Sequence, residues 1–205
     1  MMDGASLGVD DLRTFYGEPS QLARHKVLPR LDHHCRAFIA RSPFLVLGTA
    51  DAQGNQDVSP RGDPPGFVTV MPDGRLAIPD RPGNRRVDSL TNIAVNPKVA
   101  LLFMVPGFDE TVRVNGRAEI TRDPALLEQL AVQSRPALAA ILVEVEEAFF
   151  HCAKALIRSA LWNPANRSDR RQMPSLGRII ADQIDGIDPA AADAAVEDSN
   201  RNRLY

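Results

Sequence analysis

Ile78-Pro79-Asp80-Arg81-Pro82-Gly83-Asn84-Arg85-Arg86-Val87-Asp88-Ser89-Leu90 is the stretch around which the rest of the chain is arranged. It opens as the end of a strand, since Arg75-Leu76-Ala77-Ile78 follows the turn Pro72-Asp73-Gly74. It then bends through a Pro-Gly loop and enters a helix whose Val87, Leu90 and Ala94 share one face. Arg81 falls in the loop, and Arg85 and Arg86 are expected in the first helical turn. Cations are unfavourable there, because the free N–H groups already make that end positive. The cluster makes sense where an anion binds: N–H groups, helix dipole and guanidinium forks would converge on one phosphate. Taken alone, the same arginines also fit a surface cluster that keeps a loop soluble.

Outward from this stretch the pattern is one of short strands. Gln56-Asp57-Val58-Ser59-Pro60-Arg61-Gly62-Asp63 follows the turn Asp51 to Asn55 and is expected beside Phe44 to Thr49. Gly66 to Val70 pairs with Arg75 to Ile78 across the Pro-Asp-Gly turn. Asn96-Pro97 stops the helix, and Val99 to Val105 reads as a strand buried on both faces. Thr111 to Thr121 alternates most clearly, with Val112, Val114, Gly116, Ala118 and Ile120 facing one way. Arg113, Asn115, Arg117 and Glu119 face the other. Ala125 to Val132 is a short helix opened by Asp123-Pro124, and Ala140 to Phe150 is a strand with Glu144 and Glu146 on its wetter face. Six or seven strands with little room for crossovers call for an antiparallel barrel, not a doubly wound sheet.

The flanks are helical. Val9 to about Ser42 reads as helices punctuated by Pro19, Pro29 and Pro43. His33-His34-Cys35 lies in the third of them, but adjacent helical residues diverge, so no metal site is expected. Asn163 to Pro174 is a polar loop, and Pro189 to Asn200 an alanine-rich acidic helix before a basic tail. The expected division is a helical segment over 1–42, a barrel over 43–162, and loops and helices over 163–205.

Hydrophobic residues make up 44% of the 205, enough for a packed core. A net charge of −2 argues against nucleic-acid or membrane-surface binding by bulk electrostatics. Cys35 and Cys152 are the two cysteines, without CxxC spacing, which points to a reducing, cytoplasmic setting. Met1 to Asp10 shows no secretory signal, and no apolar run is long enough to span a bilayer.

Together, Ser59-Pro60-Arg61-Gly62-Asp63 and Pro79-Asp80-Arg81-Pro82-Gly83-Asn84-Arg85-Arg86 resemble the FMN-binding split barrels related to pyridoxamine 5′-phosphate oxidase. The narrower likeness is to a bacterial branch of FMN-dependent flavoproteins of that class, and it runs from about Phe38 to about Trp162. The resemblance implies a six-stranded antiparallel split β-barrel with peripheral helices. It implies a homodimer binding FMN between its subunits, and a small-molecule substrate. Arg85 and Arg86 match the family's phosphate-binding basic pair, with Asn84 as a polar donor before them. Arg61 matches a basic residue facing the cofactor, and the backbone at Val58 and Ser59 lies where the family sets the ring edge. Arg81 shares the loop, its direction open.

A second constellation is His151 to Trp162. It reads as a helix with Cys152, Ala155, Leu156 and Ser159 on one stripe and Lys154, Arg158 and Trp162, spaced by four, on another. That face is either a solvated basic surface with Trp162 capping the core, or one that reaches a flavin. In a dimer of this class, Lys154, Arg158, Ser159 and Trp162 would serve the partner's cofactor. A cation near the pyrimidine edge would stabilise an anionic reduced ring. His151 and Cys152, adjacent on a strand, point apart and do not form a dyad.

The expected function is a flavoprotein passing electrons between FMN and a small organic molecule, with no catalytic residue assigned. The alternatives are a flavin carrier or redox sensor without turnover, or a barrel that holds deazaflavin or haem. True pyridoxamine phosphate oxidases hold the substrate's phosphate with a lysine, a tyrosine, an arginine and a serine, helped by a late Arg-x-His element. Here the tyrosines are Tyr16 and Tyr205, near the two ends, and no histidine follows His151. The chain is therefore not expected to oxidise pyridoxamine phosphate.

Overall fold

Asp51 sets the first hairpin. Its carboxylate accepts from Asn55 Nδ2 at 2.7 Å and from the backbone N–H groups of Gln53 and Asn55, each at 2.9 Å. These bonds, the Asn55 side chain foremost, hold the Asp51 carboxyl below the usual carboxylate range. Gly54 takes the positive φ, 85°, that the turn needs. The computed structural model describes residues 6–205, so what the sequence implied for residues 1–5 lies outside it.

Among the described residues three helices precede the hairpin: α1 (Val9–Tyr16), α2 (Gln21–His25) and α3 (His33–Ile39). Ser20 and Asp32 cap the second and third by accepting from Ala23 N and Cys35 N. α3 lays Cys35, Phe38 and Ile39 into the core, and burial pushes the Cys35 thiol up to about 12, so it stays protonated. Among the described residues no three His, Cys, Asp or Glu side chains gather closely enough to hold a metal.

The strands are β1 (Phe44–Ala50), β2 (Gln56–Gly62), β3 (Thr69–Val70), β4 (Leu76–Asp80), β5 (Lys98–Met104), β6 (Thr111–Thr121) and β7 (Ala139–His151). Every neighbouring pair is antiparallel, and the order is β2-β1-β5-β6-β7-β4-β3. The expected barrel had six strands; the described residues form seven, counting the two-residue β3. Leu45, Leu47, Ile78, Leu101, Phe103, Val112, Val114, Ile141 and Val143 fill the interior. Helix α4 (Asp88–Val95) lies across β1 and β6.

The register also shows how the sheet closes. β2 is one edge of the strand order and β4 lies next to the other, yet Arg61 Nη1 on β2 donates to Asp80 Oδ1 on β4 at 2.6 Å. The sheet has curled until its two ends face each other across a slit, which makes it a split barrel rather than an open sheet.

Two expectations need correction. β5 is buried on one face only: Val99, Leu101 and Phe103 are interior, whereas Lys98 and Ala100 are exposed. The doubly covered strands are β4 and the start of β7, because α5 (Pro124–Gln129) packs Leu126 and Leu127 against Ala77, Ala140 and Leu142. Ile120 continues the β6 alternation but lies 37% exposed, past the end of the core.

The remaining helices are α6 (Lys154–Ser159), α7 (Leu176–Gln183) and α8 (Pro189–Asn202). The sequence left α7 unplaced among the helices expected over 163–205. This helix exists through its partner: Asp193 of α8 accepts from Ser175 Oγ at 2.6 Å and from Gly177 N at 2.8 Å, locking the two helices together. Among the described residues no helix is long and apolar enough to cross a membrane.

Candidate functional site

The slit holds a cleft of about 310 Å³. One wall is the inward face of β2, where alternation places Asp57, Ser59 and Arg61. The other is the end of β4 and the loop that leaves it, from Arg81 to Val87, before α4 begins. Leu90 and Leu138 supply its apolar lining.

The loop is not the start of a helix. Arg85 and Val87 have φ of 61° and 53°, in the left-handed region, and the helix begins only at Asp88. The expectation that Arg85 and Arg86 occupy the first helical turn is thus corrected. Instead Asp88 gives that turn its favourable anion. A β-branched residue such as Val87 rarely adopts this conformation, at a cost of about 1–3 kcal/mol. The surroundings hold it in place: Asn84 Oδ1 accepts from Arg86 N at 3.1 Å, and Arg86 Nε donates to Asp88 Oδ2 at 2.8 Å.

Four arginines line the cleft, and their states differ. Arg61 pairs with Asp80, both largely buried, and its Nε has no partner among the described residues. Arg81 points inward and away from solvent, which settles its direction. Its Nε donates to Asp63 Oδ2 at 2.7 Å and one Nη to the Leu130 carbonyl at 2.7 Å. Arg86 is exposed and bound to Asp88, which raises its pKa above the ordinary arginine value. Arg85 alone makes no ion pair among the described residues, and it is exposed at the cleft. It is the cation best placed for an incoming anion.

Proton bookkeeping decides what Ser59 offers. Ser89 Oγ donates to Asp57 Oδ2 at 2.6 Å, which uses its single proton. The 2.9 Å contact between Ser59 and Ser89 must then be a donation from Ser59. Ser59 Oγ therefore faces the cleft as an acceptor, suited to an N–H of a ligand. β2 is also an edge strand, so main-chain groups along one side, Val58 included, have no neighbouring strand to pair with.

The second set of sequence candidates is elsewhere. Lys154, Arg158, Ser159 and Trp162 do not line this cleft. The β4 pairing puts Ala139, at the start of β7, beside Asp80, while α6 follows the far end of the thirteen-residue strand. That is roughly 40 Å of strand at about 3.3 Å per residue. Trp162 is not on the helical face either. Ala160 turns left-handed at φ 47° and ends α6 at Ser159, and the Trp162 indole donates to the Phe108 carbonyl at 2.7 Å.

Sequence reading missed Ser89, Leu138 and Tyr205 as neighbours of the site. Ser89 stands inside the opening stretch, and its polarity on the buried face of α4 was a usable signal. Nothing local marks Leu138 or Tyr205.

A sequence-family model described as pyridoxamine 5′-phosphate oxidase matches residues 31–152, more than half of the chain. The chain belongs to the pyridoxamine 5′-phosphate oxidase family. Its match covers the whole barrel and both walls of the cleft. No curated relative matches the sequence. Among solved structures, HupZ of Group A Streptococcus is similar at 20% identity and a TM-score of 0.48, over 58% of this chain and 93% of that one. A Clostridium acetobutylicum protein related to general stress protein 26, of the pyridoxine phosphate oxidase family, is 18% identical with a TM-score of 0.43, over 58% and 85%. HutZ, the heme storage protein of Vibrio cholerae, is 18% identical with a TM-score of 0.38, over 58% and 94%.

Proposed function

We propose that this chain is an FMN-binding oxidoreductase that works as a homodimer and passes electrons between FMN and a small organic substrate. The observation that carries this reading is the unpaired Arg85, set by a strained loop beside Arg86 at the mouth of the slit. A phosphate there would accept charge-assisted hydrogen bonds from both guanidinium groups. Asn84 keeps the loop turned, and Arg61 borders the inner end of the cleft. Ser59 Oγ and the main chain at Val58 suit the polar edge of a flavin ring, and Leu90 and Leu138 its flat apolar body. Bound FMN would supply the hydride acceptor, so no protein acid or base is required. Arg81 serves by holding the loop, not by touching phosphate.

Two features support a shared site. A volume of about 310 Å³ is at the low end for small-molecule sites, as expected where a second copy completes the enclosure. The outer face of β1 and β5 also leaves Val46, Leu102 and Met104 half-buried, with no helix over them among the described residues. A second copy packed there would cover them, and could bring Lys154, Arg158, Ser159 and Trp162 to its partner's flavin.

The test is reconstitution followed by dilution. Desalted protein should retain FMN, and on dilution flavin and monomer should be released together, because binding favours the assembled state. A monomer that stayed fully loaded would remove the shared site and the roles of those four residues. Protein that took up haem or deazaflavin but no FMN would sink the cofactor assignment. Flavin-loaded protein inert to every reductant and oxidant tried would favour a carrier or sensor.

The substrate is not pyridoxamine phosphate. Tyr16 lies on α1, 74% exposed, and the Tyr205 hydroxyl is already committed to Asp63. Neither stands free to hold a second phosphate above the flavin. A substrate phosphate left without partners in a partly dry cleft is costly. Flavin-loaded protein given pyridoxamine phosphate and oxygen should form no pyridoxal phosphate. Turnover on the order of one per second would overturn this.

A further inference from the structure

Arg81 is pinned by a residue 124 positions later in the chain. The Tyr205 hydroxyl donates to Asp63 Oδ1 at 2.7 Å. The other oxygen of that carboxylate accepts from Arg81 Nε, and the Tyr205 ring lies 5.6 Å from the Arg81 guanidinium carbon. Arg135 Nη1 donates to the Tyr205 carbonyl at 2.8 Å, fixing the tyrosine from behind. Asp63 is almost fully enclosed, with 2% of its side chain exposed, and Arg81 is 13% exposed. The α7–α8 hairpin thus returns from outside the barrel and ends in the carboxylate–guanidinium pair at the root of the cleft loop.

The loop needs such an anchor. It holds two non-glycine residues, Arg85 and Val87, in left-handed backbone, and strain of that kind persists only where the surroundings over-determine it. Asn84 and Asp88 fix the far end of the loop. At the near end, Arg81 has Asp63, the Leu130 carbonyl and Tyr205. One Nη of Arg81 remains buried with no partner among the described residues.

We infer that Tyr205 is a positioning residue for the cleft: through Asp63 and Arg81 it keeps the loop in the strained shape that presents Arg85. The role of the loop as a phosphate site rests on the function proposed above; the clamp itself does not. Removing Tyr205 frees the near end of the loop, Arg85 and Val87 relax, and the anion site loses its preorganisation.

The experiment uses the full chain with Tyr205→Phe and Tyr205→Ala, alongside Tyr16→Phe. In the ligand-free protein, amide exchange across residues 81–87 should rise in Tyr205→Ala and less in Tyr205→Phe, which keeps the ring over Arg81. FMN affinity should fall about tenfold in Tyr205→Ala, on the order of one charge-assisted hydrogen bond, and less in Tyr205→Phe. Phenol titration adds a signature that mere packing would not move. The bond to Asp63 foremost, then burial and that carboxylate's charge, raises the Tyr205 pKa, and Arg81 opposes the rise. A raised folded pKa means the contribution is complete below the ordinary tyrosine range and is lost as pH rises through the raised value. Tyr205 should therefore ionise above the ordinary tyrosine range, and Asp63→Asn should bring it down. Wild-type FMN affinity in Tyr205→Ala would overturn the inference. If wild-type protein bound no FMN, the functional reading would fail, and unchanged exchange at 81–87 in Tyr205→Ala would then overturn the clamp separately.

Discussion

An Arg85→Ala/Arg86→Ala variant should lose at least about a hundredfold in FMN affinity while keeping its fold. Each charge-assisted hydrogen bond contributes roughly 1.5–3 kcal/mol, and a hundredfold loss corresponds to about 2.7 kcal/mol. The two positions differ in what they give up. Arg86 is already bound to Asp88 and must share or leave that partner to reach a phosphate. Among the described residues Arg85 has no carboxylate to leave, so Arg85→Ala alone should account for most of the loss. The fold should survive because both side chains are exposed and neither belongs to the core. Arg85→Asn is a useful companion, since asparagine accepts left-handed backbone readily. It should bind as weakly as Arg85→Ala, separating lost charge from altered loop shape. Titration of flavin fluorescence reads all three, and wild-type affinity in the double variant would mean that the phosphate sits elsewhere.

The parts of this structure that were legible in the sequence are those set by neighbours a few residues away. β6 alternates because one face packs against the interior, and the sequence carries that period from Val112 to Ala118. The β1–β2 hairpin was legible through Asp51, Gly54 and Asn55, whose chemistry is local. β5 misled because Leu102 and Met104 are apolar on the outer face too, so periodicity alone could not say which side was covered. The start of α4 misled for a different reason. Nothing in Arg85-Arg86-Val87 announces left-handed backbone, and only the anchoring of both loop ends makes it tolerable.

The candidate site divides the same way. Arg61, Arg81, Asn84, Arg85 and Arg86 were found because they lie within two short motifs that the fold sets face to face. Their division of labour was not legible, because each partner lies in the opposite motif, distant in sequence: Asp80 for Arg61, Asp63 for Arg81. Tyr205 was out of reach altogether. It meets Asp63 across 142 residues of sequence, through a hairpin whose first helix the sequence left unplaced.

Gly116 is the position where one added carbon should do most harm to the fold. The β6–β7 ladder slips at this point: Asn115 faces Glu147, but Gly116 faces Val145, leaving an extra residue on β7. The bulge draws the β7 backbone onto Gly116. A Cβ there would fall inside contact distance of the Glu144 carbonyl oxygen and 3.1 Å from Val143 Cγ1. The obstruction is main chain in the longest ladder of the barrel, so it cannot swing aside as a flexible side chain would. Overpacking of this kind costs typically 1–3 kcal/mol, occasionally more, and Gly116→Val should reach the upper end or fail to fold. For a chain of this size about 3 kcal/mol lowers Tm by roughly 6–12 °C. Gly83→Ala is the matched control. A Cβ at Gly83 meets nothing within 4 Å and its φ is not positive, so Tm should hold to within about 2 °C, the shift of roughly half a kcal/mol. Thermal melts of Gly116→Ala, Gly116→Val and Gly83→Ala decide the matter. Equal melting of the Gly116 and Gly83 variants would show that the bulge yields, and that β6 and β7 are not clamped where the register shifts.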